Sequence, residues 1–571
     1  MKVSDYIVEF LISKNISDVF GYPGGMVTHL MDSFGKYAEK ISAHVNYHEQ
    51  GAAFAACGYA QVSHKPGVAY ATSGPGATNM ITGIANAYFD SIPCIFITGQ
   101  VNTYESKGDL LVRQRGFQET DIVQIVKPIT KYATQITNEA DIKYELEKAF
   151  YLCLEGRPGP VLLDIPMNIQ RQEIDVSKLR SYIMPILKLD TASNRYDVII
   201  EELEKSERPC LIVGAGIKYS GVVKNIRKLA VSLDIPIVSS MIAIDVMQND
   251  STNYYGFIGA YGHRTANFIV AKSDLLISIG SRLDVRQTGA NKGNFAPNAK
   301  LIRIDIDKNE MTNRIKEDEI QIVEQLTAKN INTLIEKIKL NLKKDFTNWK
   351  KVCNEIKLKL KDIDKDKTTN IIENISKFIP DDVVITTDVG QNQVWVPQAF
   401  EFKENQLALF SGGHGAMGYS LPAAIGAYYA SKKPVICFSG DGGIQMNIQE
   451  LQFVAREKLP IKIIILNNAS LGMIRHFQEM YFKSNYIQTI ENRGYSVPDF
   501  GKIANAYGLQ YNKIHDIKEL DEGILLDNDS AIIEVVLNNN TYVFPKLSMG
   551  RPCQDQDPLI ERNLYDYLMR I

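Results

Sequence analysis

Two distant segments with the same order of elements most constrain how this chain can fold. Residues 67–100 (GVAYATSGPGATNMITGIANAYFDSIPCIFITGQ) and 434–468 (PVICFSGDGGIQMNIQELQFVAREKLPIKIIILNN) each run as strand, glycine-rich turn, helix and strand. Between them, the runs CLIVGAGI, SDLLISIGSRLD and AKLIRIDID are also strand-like and end in turn or polar residues. Strands that alternate with helices favour parallel sheets joined by right-handed crossovers. We therefore predict an α/β fold with three doubly wound parallel-sheet domains.

The chain divides into three blocks and a tail. We predict domains at 1–170, 190–335 and 370–547, followed by a polar tail at 548–571 that is rich in Asp and Arg. The lysine-rich stretch that begins at Glu336 is interpreted as a solvated linker helix, because acids are interspersed among its lysines. A chain of 571 residues is too long for one hydrophobic core, which agrees with several domains.

Composition argues against several classes of protein. A formal net charge of −3 gives no reason to expect nucleic acid or a membrane surface as a partner. No apolar run approaches the roughly 18 residues of a membrane span. Asp5 and Glu9 make the first segment an amphipathic helix rather than a signal peptide. The 7 cysteines contain no CxxC pair, which argues against a structural zinc site and fits the reducing cytosol. We expect a cytoplasmic protein.

A candidate metal site lies in the last block, where polar residues end two strands. Asp441 follows the strand VICFSG, and Asn467 and Asn468 follow the strand IKIIIL. In a parallel sheet these positions are carboxyl ends, where open α/β folds bind ligands. One carboxylate with neutral oxygens suits magnesium that keeps phosphate oxygens as its other ligands. Gly442 and Gly443 let such a ligand approach the backbone, and the following helix directs its positive end toward the phosphate.

This arrangement is similar to the diphosphate-and-metal signature of thiamine-diphosphate enzymes. The chain resembles, from end to end, the large catalytic subunit of acetohydroxyacid (acetolactate) synthase. The matching motifs are GYPGG (21–25), HEQGAAFAACGYA (48–60), TSGPGATN (72–79), GFQETDIV (116–123), GRPGPVLLDIP (156–166), GSRLDVRQTG (280–289), FAPNAKLIRIDID (295–307), TDVGQNQVW (387–395), SGGHGAMGYSLPAAIGA (411–427), GDGG (440–443) and NNASLGMIRHFQ (467–478). So many motifs in the family's order make chance similarity negligible.

The resemblance implies a cofactor and the residues that hold it. In chain order, the three domains would bind the pyrimidine of thiamine diphosphate, FAD, and the diphosphate with Mg²⁺. Asp441 and Asn468 would ligate magnesium through their side chains, and Ser470 through its carbonyl. The residues implied to contact thiamine diphosphate are Gly24, Pro75, Asn79, Gln391, Gly415, Met417, Gly442, Gly443 and Met473. Of these, Gln391 would contact the diphosphate, the Gly415 carbonyl would hold the cofactor's amino group, and Met417 would force the cofactor into a bent shape.

Glu49 is a lone carboxylate at the head of a segment otherwise composed mainly of small and aromatic residues. The resemblance implies that it lies beside the aminopyrimidine ring of a cofactor held mainly by the other subunit of a dimer, where it shares the proton that activates the cofactor. The small residues would let this helix pack closely at a domain or subunit boundary. Gln118 would line the pocket with Phe117, and Arg286 would bind the carboxylate of the acceptor.

The middle domain resembles the FAD-binding domain of the same family. The residues at matching positions are Arg157, Gly214, Gly216, His263, Gly280, Arg282, Asp284 and Asp305. The stretch GAGIKYSG by itself predicts only a tight turn, because the third glycine of the dinucleotide fingerprint would fall at Tyr219. Relatives with similar middle domains sometimes lack flavin. The implied reaction has no net redox change, so a bound flavin would be structural.

The implied activity is decarboxylation of pyruvate and carboligation of its two-carbon unit to a second 2-oxo acid, which gives acetolactate-type acids for branched-chain amino acid biosynthesis. The positions that depart from the family's pattern near the substrate are Met26, Met167, Asn392, His414 and Phe477. The segment VNTYESKGDLLVRQRG (101–116) is longer than usual and adds Lys107, Arg113 and Arg115. The departures leave open an alternative acceptor, such as a nucleotide-linked keto sugar, and equally neutral drift around an unchanged pocket.

Three other classes of function fit the residues less well. A non-catalytic homologue would not need Glu49, Asp441 and Asn468 together. A zinc protease would need a second His in HEQGA, where Ala52 stands. A plain α/β oxidoreductase does not account for the SGGHGAMG stretch or for the metal residues. Sequence leaves three questions open: whether the protein is a homodimer or a homotetramer, whether it binds a small regulatory subunit, and whether its role is biosynthetic or catabolic.

Overall fold

The computed structural model describes residues 1–185 and 195–571. Its named strands form three six-stranded sheets in which every strand pair is parallel. The predicted fold class is therefore confirmed. The predicted start of the middle domain at residue 190 lies outside the described residues, and the domain boundaries stay predictions.

The first sheet belongs to the N-terminal domain. Its strands are β1 (Asp18–Gly21), β2 (Ser42–Val45), β3 (Gly67–Ala71), β4 (Cys94–Gln100), β5 (Tyr132–Gln135) and β6 (Val161–Pro166), in the order β2-β1-β3-β4-β6-β5. Its helices are α1 (Val3–Ser13), α2 (Thr28–Lys36), α3 (Glu49–Ser63), α4 (Pro75–Asn79), α5 (Ile81–Phe89), α6 (Ile122–Val126), α7 (Ile142–Leu154) and α8 (Met167–Gln170). Strands β3, β4 and β6 are buried along their whole length, as expected for a sheet covered by helices on both faces.

The second sheet belongs to the middle domain. Its strands are β7 (Pro209–Val213), β8 (Ile237–Ser239), β9 (Tyr254–Phe257), β10 (Leu275–Ile279), β11 (Lys300–Asp305) and β12 (Ile320–Val323), in the order β12-β11-β10-β7-β8-β9. Its helices are α9 (Asp197–Lys205), α10 (Gly216–Tyr219), α11 (Val223–Leu233), α12 (Arg264–Lys272), α13 (Val285–Thr288), α14 (Ala328–Asn341) and α15 (Thr347–Leu360). This strand order is that of a dinucleotide-binding Rossmann fold.

The third sheet belongs to the C-terminal domain. Its strands are β13 (Val384–Thr387), β14 (Leu407–Leu409), β15 (Val435–Gly440), β16 (Ile461–Asn467), β17 (Gln510–Ile514) and β18 (Ala531–Val536), in the order β14-β13-β15-β16-β18-β17. Its helices are α16 (Lys367–Phe378), α17 (Asn392–Ala399), α18 (Ser420–Ser431), α19 (Asp441–Gln445), α20 (Leu451–Arg456), α21 (Gly472–Tyr481), α22 (Phe500–Tyr507) and α23 (Glu522–Leu526), and the tail contains α24 (Arg562–Arg570). Each outer sheet, numbered from its own first strand, runs 2-1-3-4-6-5.

Helices α3 and α18 join the two outer domains through a seam of small residues. A Cβ atom added to Gly426 would lie 1.8 Å from the Ala55 carbonyl oxygen, and one added to Gly58 would lie 2.1 Å from the Ala423 carbonyl oxygen. The two backbones are therefore in direct contact at glycines that carry no side chain. The predicted close packing of the Glu49 helix is confirmed, and the boundary that it forms within this chain lies between two domains.

The lysine-rich stretch differs from its prediction as a solvated linker helix. It forms α14 and α15, and each buries one apolar face. On α15 the buried face carries Trp349, Cys353 and Ile356, and the Trp349 indole N–H donates to the Pro209 carbonyl at a distance of 3.0 Å. The lysines occupy the opposite face, so their charge pattern concealed an amphipathic helix that packs on the middle domain.

Two further findings concern membrane-spanning helices and the state of the cysteines. In the part that the structure describes, no helix is both long enough and apolar enough to cross a membrane. All seven cysteines are buried as free thiols.

Candidate functional site

The metal residues predicted from sequence meet at one edge of the third sheet. Strands β15 and β16 are neighbours with Gly440 opposite Leu466, so Asp441 and Asn468 leave the sheet on the same side. An Asp441 carboxylate oxygen accepts the Ser470 N–H at 3.1 Å. The Asn468 side-chain NH₂ donates to the Gln391 side-chain oxygen at 2.7 Å. This cluster of four polar residues, Asp441, Asn468, Ser470 and Gln391, is called the metal cluster below.

The donor set of the metal cluster fits a hard cation. Asp441 is only 3% exposed, and burial raises the pKa of its carboxyl to about 6. In the described chain its hydrogen bonds come from the N–H groups of Gly442 and Ser470, and no Lys or Arg side chain pairs with it. A buried carboxylate without a cation is unfavourable. Gln391 holds the NH₂ of Asn468 and so leaves the Asn468 side-chain oxygen for a metal ion.

Ligand sets for transition metals are not found in the described residues. No group of three or more His, Cys, Asp or Glu side chains lies close enough there to hold a metal ion. Carboxylate, amide and carbonyl oxygens are instead the ligands that suit magnesium.

The predicted cofactor loop, residues 411–418, lies against the metal cluster. A Cβ atom added to Gly442 would lie 3.5 Å from the terminal methyl group of Met417. Gly415 has a φ of +70°, a conformation that favours glycine. The buried Asp388 carboxylate accepts the N–H groups of Gly418 at 2.9 Å and Ser420 at 3.0 Å, which anchors the end of the loop.

The other end of the cofactor loop is anchored by the N-terminal domain. The Asp90 carboxylate, just after α5, accepts the N–H groups of Gly412 at 2.9 Å and Gly413 at 2.6 Å. The His414 ring stacks on Phe89 with a centroid distance of 5.6 Å. Burial raises the pKa of Asp90 to about 6. Two domains of the chain thus fix the backbone on both sides of Gly415 and Met417.

Glu49 lies in a second cluster, within the N-terminal domain. It begins α3, is 8% exposed, and one of its carboxylate oxygens accepts the Asn79 NH₂ at 2.9 Å. A Cβ atom added to Gly76 would lie 3.1 Å from the other carboxylate oxygen. Gln118 has a φ of +63° and its side chain lies against Gly74. The structure therefore brings Glu49, Asn79 and Gln118 to the turn around Pro75.

Gly24 lies at the edge of the Glu49 cluster. A Cβ atom there would lie 2.4 Å from the Cβ of Thr72, which starts the same turn. No hydrogen bond or ion pair in the described residues joins the Glu49 cluster to the metal cluster. One chain therefore holds the two predicted halves of the cofactor site as separate clusters.

A cavity between the N-terminal and middle domains collects most of the residues predicted to contact FAD. Its lining includes Arg157, Gly216, Gly280, Arg282, Asp284 and Asp305, together with Arg286. The Arg157 guanidinium pairs with Glu310 at 2.5 Å and with Asp307 at 3.1 Å. Burial raises the pKa of Asp305.

Two of the predicted FAD residues lie outside the lining of that cavity. One ring nitrogen of His263 accepts the Phe257 N–H at 3.2 Å, and the other lies 3.2 Å from the Gln398 carbonyl oxygen. A Cβ atom on Gly214 would lie 2.1 Å from the Gly280 carbonyl oxygen, so this glycine serves the packing of two turns. Contact of these two residues with FAD stays a prediction.

Comparison with known proteins agrees with this arrangement of domains. Residues 1–125 match the N-terminal TPP-binding domain of thiamine pyrophosphate enzymes, residues 196–334 the central domain, and residues 388–535 the C-terminal TPP-binding domain. The acetolactate synthase large subunit of Lactococcus lactis subsp. lactis is 36% identical over 96% of this chain and 94% of its own length. That of Escherichia coli K12, isozyme 2, is 33% identical over 96% of this chain and 98% of its own length.

The chain belongs to the acetolactate synthase large-subunit family. The probable acetolactate synthase large subunit of Methanocaldococcus jannaschii is also similar, with 35% identity over 94% of this chain and 92% of its own length. The predicted family and its thiamine diphosphate cofactor are confirmed.

At the positions that depart from the pattern of the acetolactate synthase family, the structure shows common packing and hydrogen-bond contacts. Met26 is held by its backbone, with its N–H on the Thr72 hydroxyl at 3.1 Å, and Met167 begins α8. The Asn392 NH₂ donates to the Asp388 carbonyl at 2.5 Å. Phe477 is 44% exposed on α21, where its ring lies 4.7 Å from that of Tyr481. Met473, on the same helix, packs against the hydrophobic core.

The inserted segment is organised by a residue that sequence reasoning missed. Glu119 accepts the Ser106 hydroxyl at 2.8 Å and the N–H groups of Lys107 at 2.7 Å and Arg115 at 3.0 Å. The segment is therefore folded around Glu119, next to Gln118. Asp90 and Asp388 were missed in the same way, because each is an ordinary acid in sequence whose partners lie elsewhere in the chain.

Proposed function

We propose that this chain is an acetolactate synthase large subunit that decarboxylates pyruvate and joins the two-carbon unit to a second pyruvate. The observation that carries the proposal is the pair of clusters around Glu49 and Asp441, found in a chain that is similar to acetolactate synthases over nearly its full length. Thiamine diphosphate, when bound, supplies an acidic carbon and an electron sink for the loss of carbon dioxide.

Magnesium is held by the Asp441 and Asn468 side chains and by the Ser470 carbonyl in this proposal. Gln391 orients Asn468 and lies at the start of α17, within reach of a diphosphate. FAD occupies the cavity between the N-terminal and middle domains in a structural role. The Rossmann strand order and the cavity lining of Arg282 and Asp305 support this assignment.

Glu49 would hold a proton at its carboxylate beside the aminopyrimidine ring of the bound cofactor. Asn79 occupies one carboxylate oxygen and so fixes the carboxyl plane, which leaves the oxygen near Gly76 for the proton transfer. Arg286 binds the carboxylate of the acceptor. Its side chain is exposed, and in the described residues no hydrogen bond or ion pair engages its guanidinium group.

A second copy of the chain completes the site. The separation of the Glu49 cluster and the metal cluster within one chain supports this part of the proposal, since both must reach one cofactor. The relatives are named large subunits, and on that ground we also propose a small regulatory subunit as partner. The free cysteines agree with the predicted cytoplasmic location.

One observation favours a second candidate acceptor. Lys107, Arg113 and Arg115 lie on the segment folded around Glu119, next to Gln118. A basic segment at this place favours an anionic acceptor, such as a nucleotide-linked keto sugar.

Incubation with pyruvate alone separates the two acceptors. We expect saturable formation of acetolactate, identified by mass spectrometry, in the presence of thiamine diphosphate, Mg²⁺ and FAD. Glu49→Gln should abolish turnover and leave thiamine diphosphate binding largely intact. If product forms only when a keto sugar is added, acetolactate synthesis is contradicted and the second candidate acceptor is supported. If Glu49→Gln turns over pyruvate as fast as the wild type, the role proposed for Glu49 is wrong.

A further inference from the structure

A buried glutamate of the C-terminal domain holds the residues that lead into Glu49. Glu450 has no solvent exposure and lies in the short connection 446–450 between α19 and α20. Its two carboxylate oxygens accept the Asn46 NH₂ and the Tyr47 N–H, each at 2.9 Å. Two consecutive residues shortly before Glu49 thus donate to one carboxylate in another domain.

The same carboxylate touches the first turn of α3. A Cβ atom added to Gly51 would lie 2.4 Å from a Glu450 carboxylate oxygen. His48 caps this helix, with its ring nitrogen accepting the Gln50 N–H at 3.1 Å. Glu49 therefore lies between a segment and a helical turn that both rest on Glu450, and the direction of its side chain depends on that support.

The connection 446–450 also reaches the cofactor loop. The Asn447 NH₂ donates to the Gly418 carbonyl at 2.8 Å, directly after Met417. One short stretch of chain, which follows the helix that begins at Asp441, thus contacts both the cofactor loop and the segment that leads to Glu49.

We infer that Glu450 is a positioning residue that sets the geometry of Glu49 relative to the C-terminal domain. The inference rests on the proposed role of Glu49. A purely structural residue at a domain boundary would be better replaced by an apolar side chain, since a buried carboxylate is unfavourable to keep. The burial that disfavours its charge also raises the pKa of Glu450 to about 7.

Glu450→Gln tests the inference in two ways. The amide NH₂ of glutamine cannot accept an N–H, so one of the supports for residues 46–47 is lost. In the apoenzyme, we expect the Tyr47 amide to exchange about tenfold faster, measured by hydrogen exchange and mass spectrometry, because a hydrogen bond to a charged acceptor is removed. In the complete enzyme, kcat should fall by about tenfold or more, while KM for pyruvate changes by less than about threefold.

Glu319→Gln is the matched control. Glu319 is a buried glutamate of the middle domain that accepts the backbone N–H groups of Ile315 at 2.9 Å and Lys316 at 3.2 Å. This variant should lose stability but leave both kcat and the exchange of Tyr47 unchanged. If Glu450→Gln fails to fold, Asn46→Ala removes one donor from the same carboxylate and should lower kcat in the same direction.

The outcomes are distinguishable from a failure of the proposed function. Faster exchange at Tyr47 with kcat unchanged would make Glu450 a structural residue only and overturn the inference. Unchanged exchange would overturn it as well, because the contact would not support the segment. A fully active Glu49→Gln variant would instead count against the proposed function, whatever Glu450→Gln does.

Discussion

At the residue scale, amide side chains do much of the orienting in both clusters. Gln391 holds Asn468 in the metal cluster, and Asn79 holds Glu49 in the other. In each pair the amide occupies one atom of its partner and leaves the other atom free for the ligand. The group that meets the cofactor is thereby fixed before the cofactor binds.

Gln391→Ala should weaken magnesium binding. Loss of the acceptor frees the Asn468 amide to rotate, and loss of such a supporting partner lowers metal affinity by about 10–100-fold. A titration of Mg²⁺ at saturating thiamine diphosphate, followed by protein fluorescence, measures the change. Gln406→Ala is the control, since this buried glutamine of the same domain donates to the Pro380 carbonyl at 2.8 Å instead. Equal affinities in both variants would contradict the orienting role of Gln391.

Sequence pointed to the predicted site residues but not to the residues that support them. Asp441, Asn468 and Glu49 stand in motifs whose spacing or resemblance pointed to them. Glu450 lies just beyond GDGG, yet its partner Asn46 is 404 residues away in the chain. No local pattern reports such a contact, because it depends on how two domains dock. The contacts of the His263 ring with the Phe257 N–H and the Gln398 carbonyl also depend on the fold, and the motif that contains His263 does not indicate them.

At the element scale, the seam between α3 and α18 brings two domains into direct backbone contact. It depends on two glycines, Gly58 and Gly426. The short distance between the two backbones holds α3, the helix that begins with Glu49, against the C-terminal domain. The composition of α3 predicted close packing, but the partner helix could not be read from it.

Gly426→Ala should destabilise the protein. Its new methyl group would lie 1.8 Å from the Ala55 carbonyl oxygen, and overpacking of this kind lowers the free energy of unfolding by about 1–3 kcal/mol or more. Denaturant unfolding followed by circular dichroism measures the loss. Gly35→Ala, in the last turn of α2 with no atom within 4 Å of the new methyl group, should instead add up to about 0.5–1 kcal/mol. A stable Gly426→Ala protein would refute the tight seam.

The prediction from sequence was also wrong for helices α14 and α15. The lysines of α14 and α15 were interpreted as a solvated linker, although each helix repeats apolar residues on one face. Charge dominates the composition of these helices, whereas the period of the few apolar residues determines where they pack.

At the scale of the whole molecule, we expect catalysis to require a second chain. Glu49 and the metal cluster belong to different domains, and no hydrogen bond or ion pair of the described residues joins them. The proposal that they meet across a dimer makes the active site a property of the assembly.

Mixing two inactive variants tests this arrangement. Glu49→Gln and Asp441→Ala should each be inactive alone, whereas their mixed dimer contains one intact site. Random assortment puts half of the chains in mixed dimers with one of two sites intact, so about one quarter of wild-type activity should return on co-expression. Activity that stays at the level of the single variants would place both residues of one site in the same chain.

The matching strand order of the two outer sheets makes two of their helices equivalent. Helices α3 and α18 each connect the second strand of their sheet to the third. They are equivalent elements, and they meet each other, which is the contact that a twofold axis produces between identical bodies. The two outer domains thus pack like a symmetric pair, although the middle domain separates them in the sequence. Because both belong to one chain, each can carry different residues, and the Glu49 cluster lies in one while the metal cluster lies in the other.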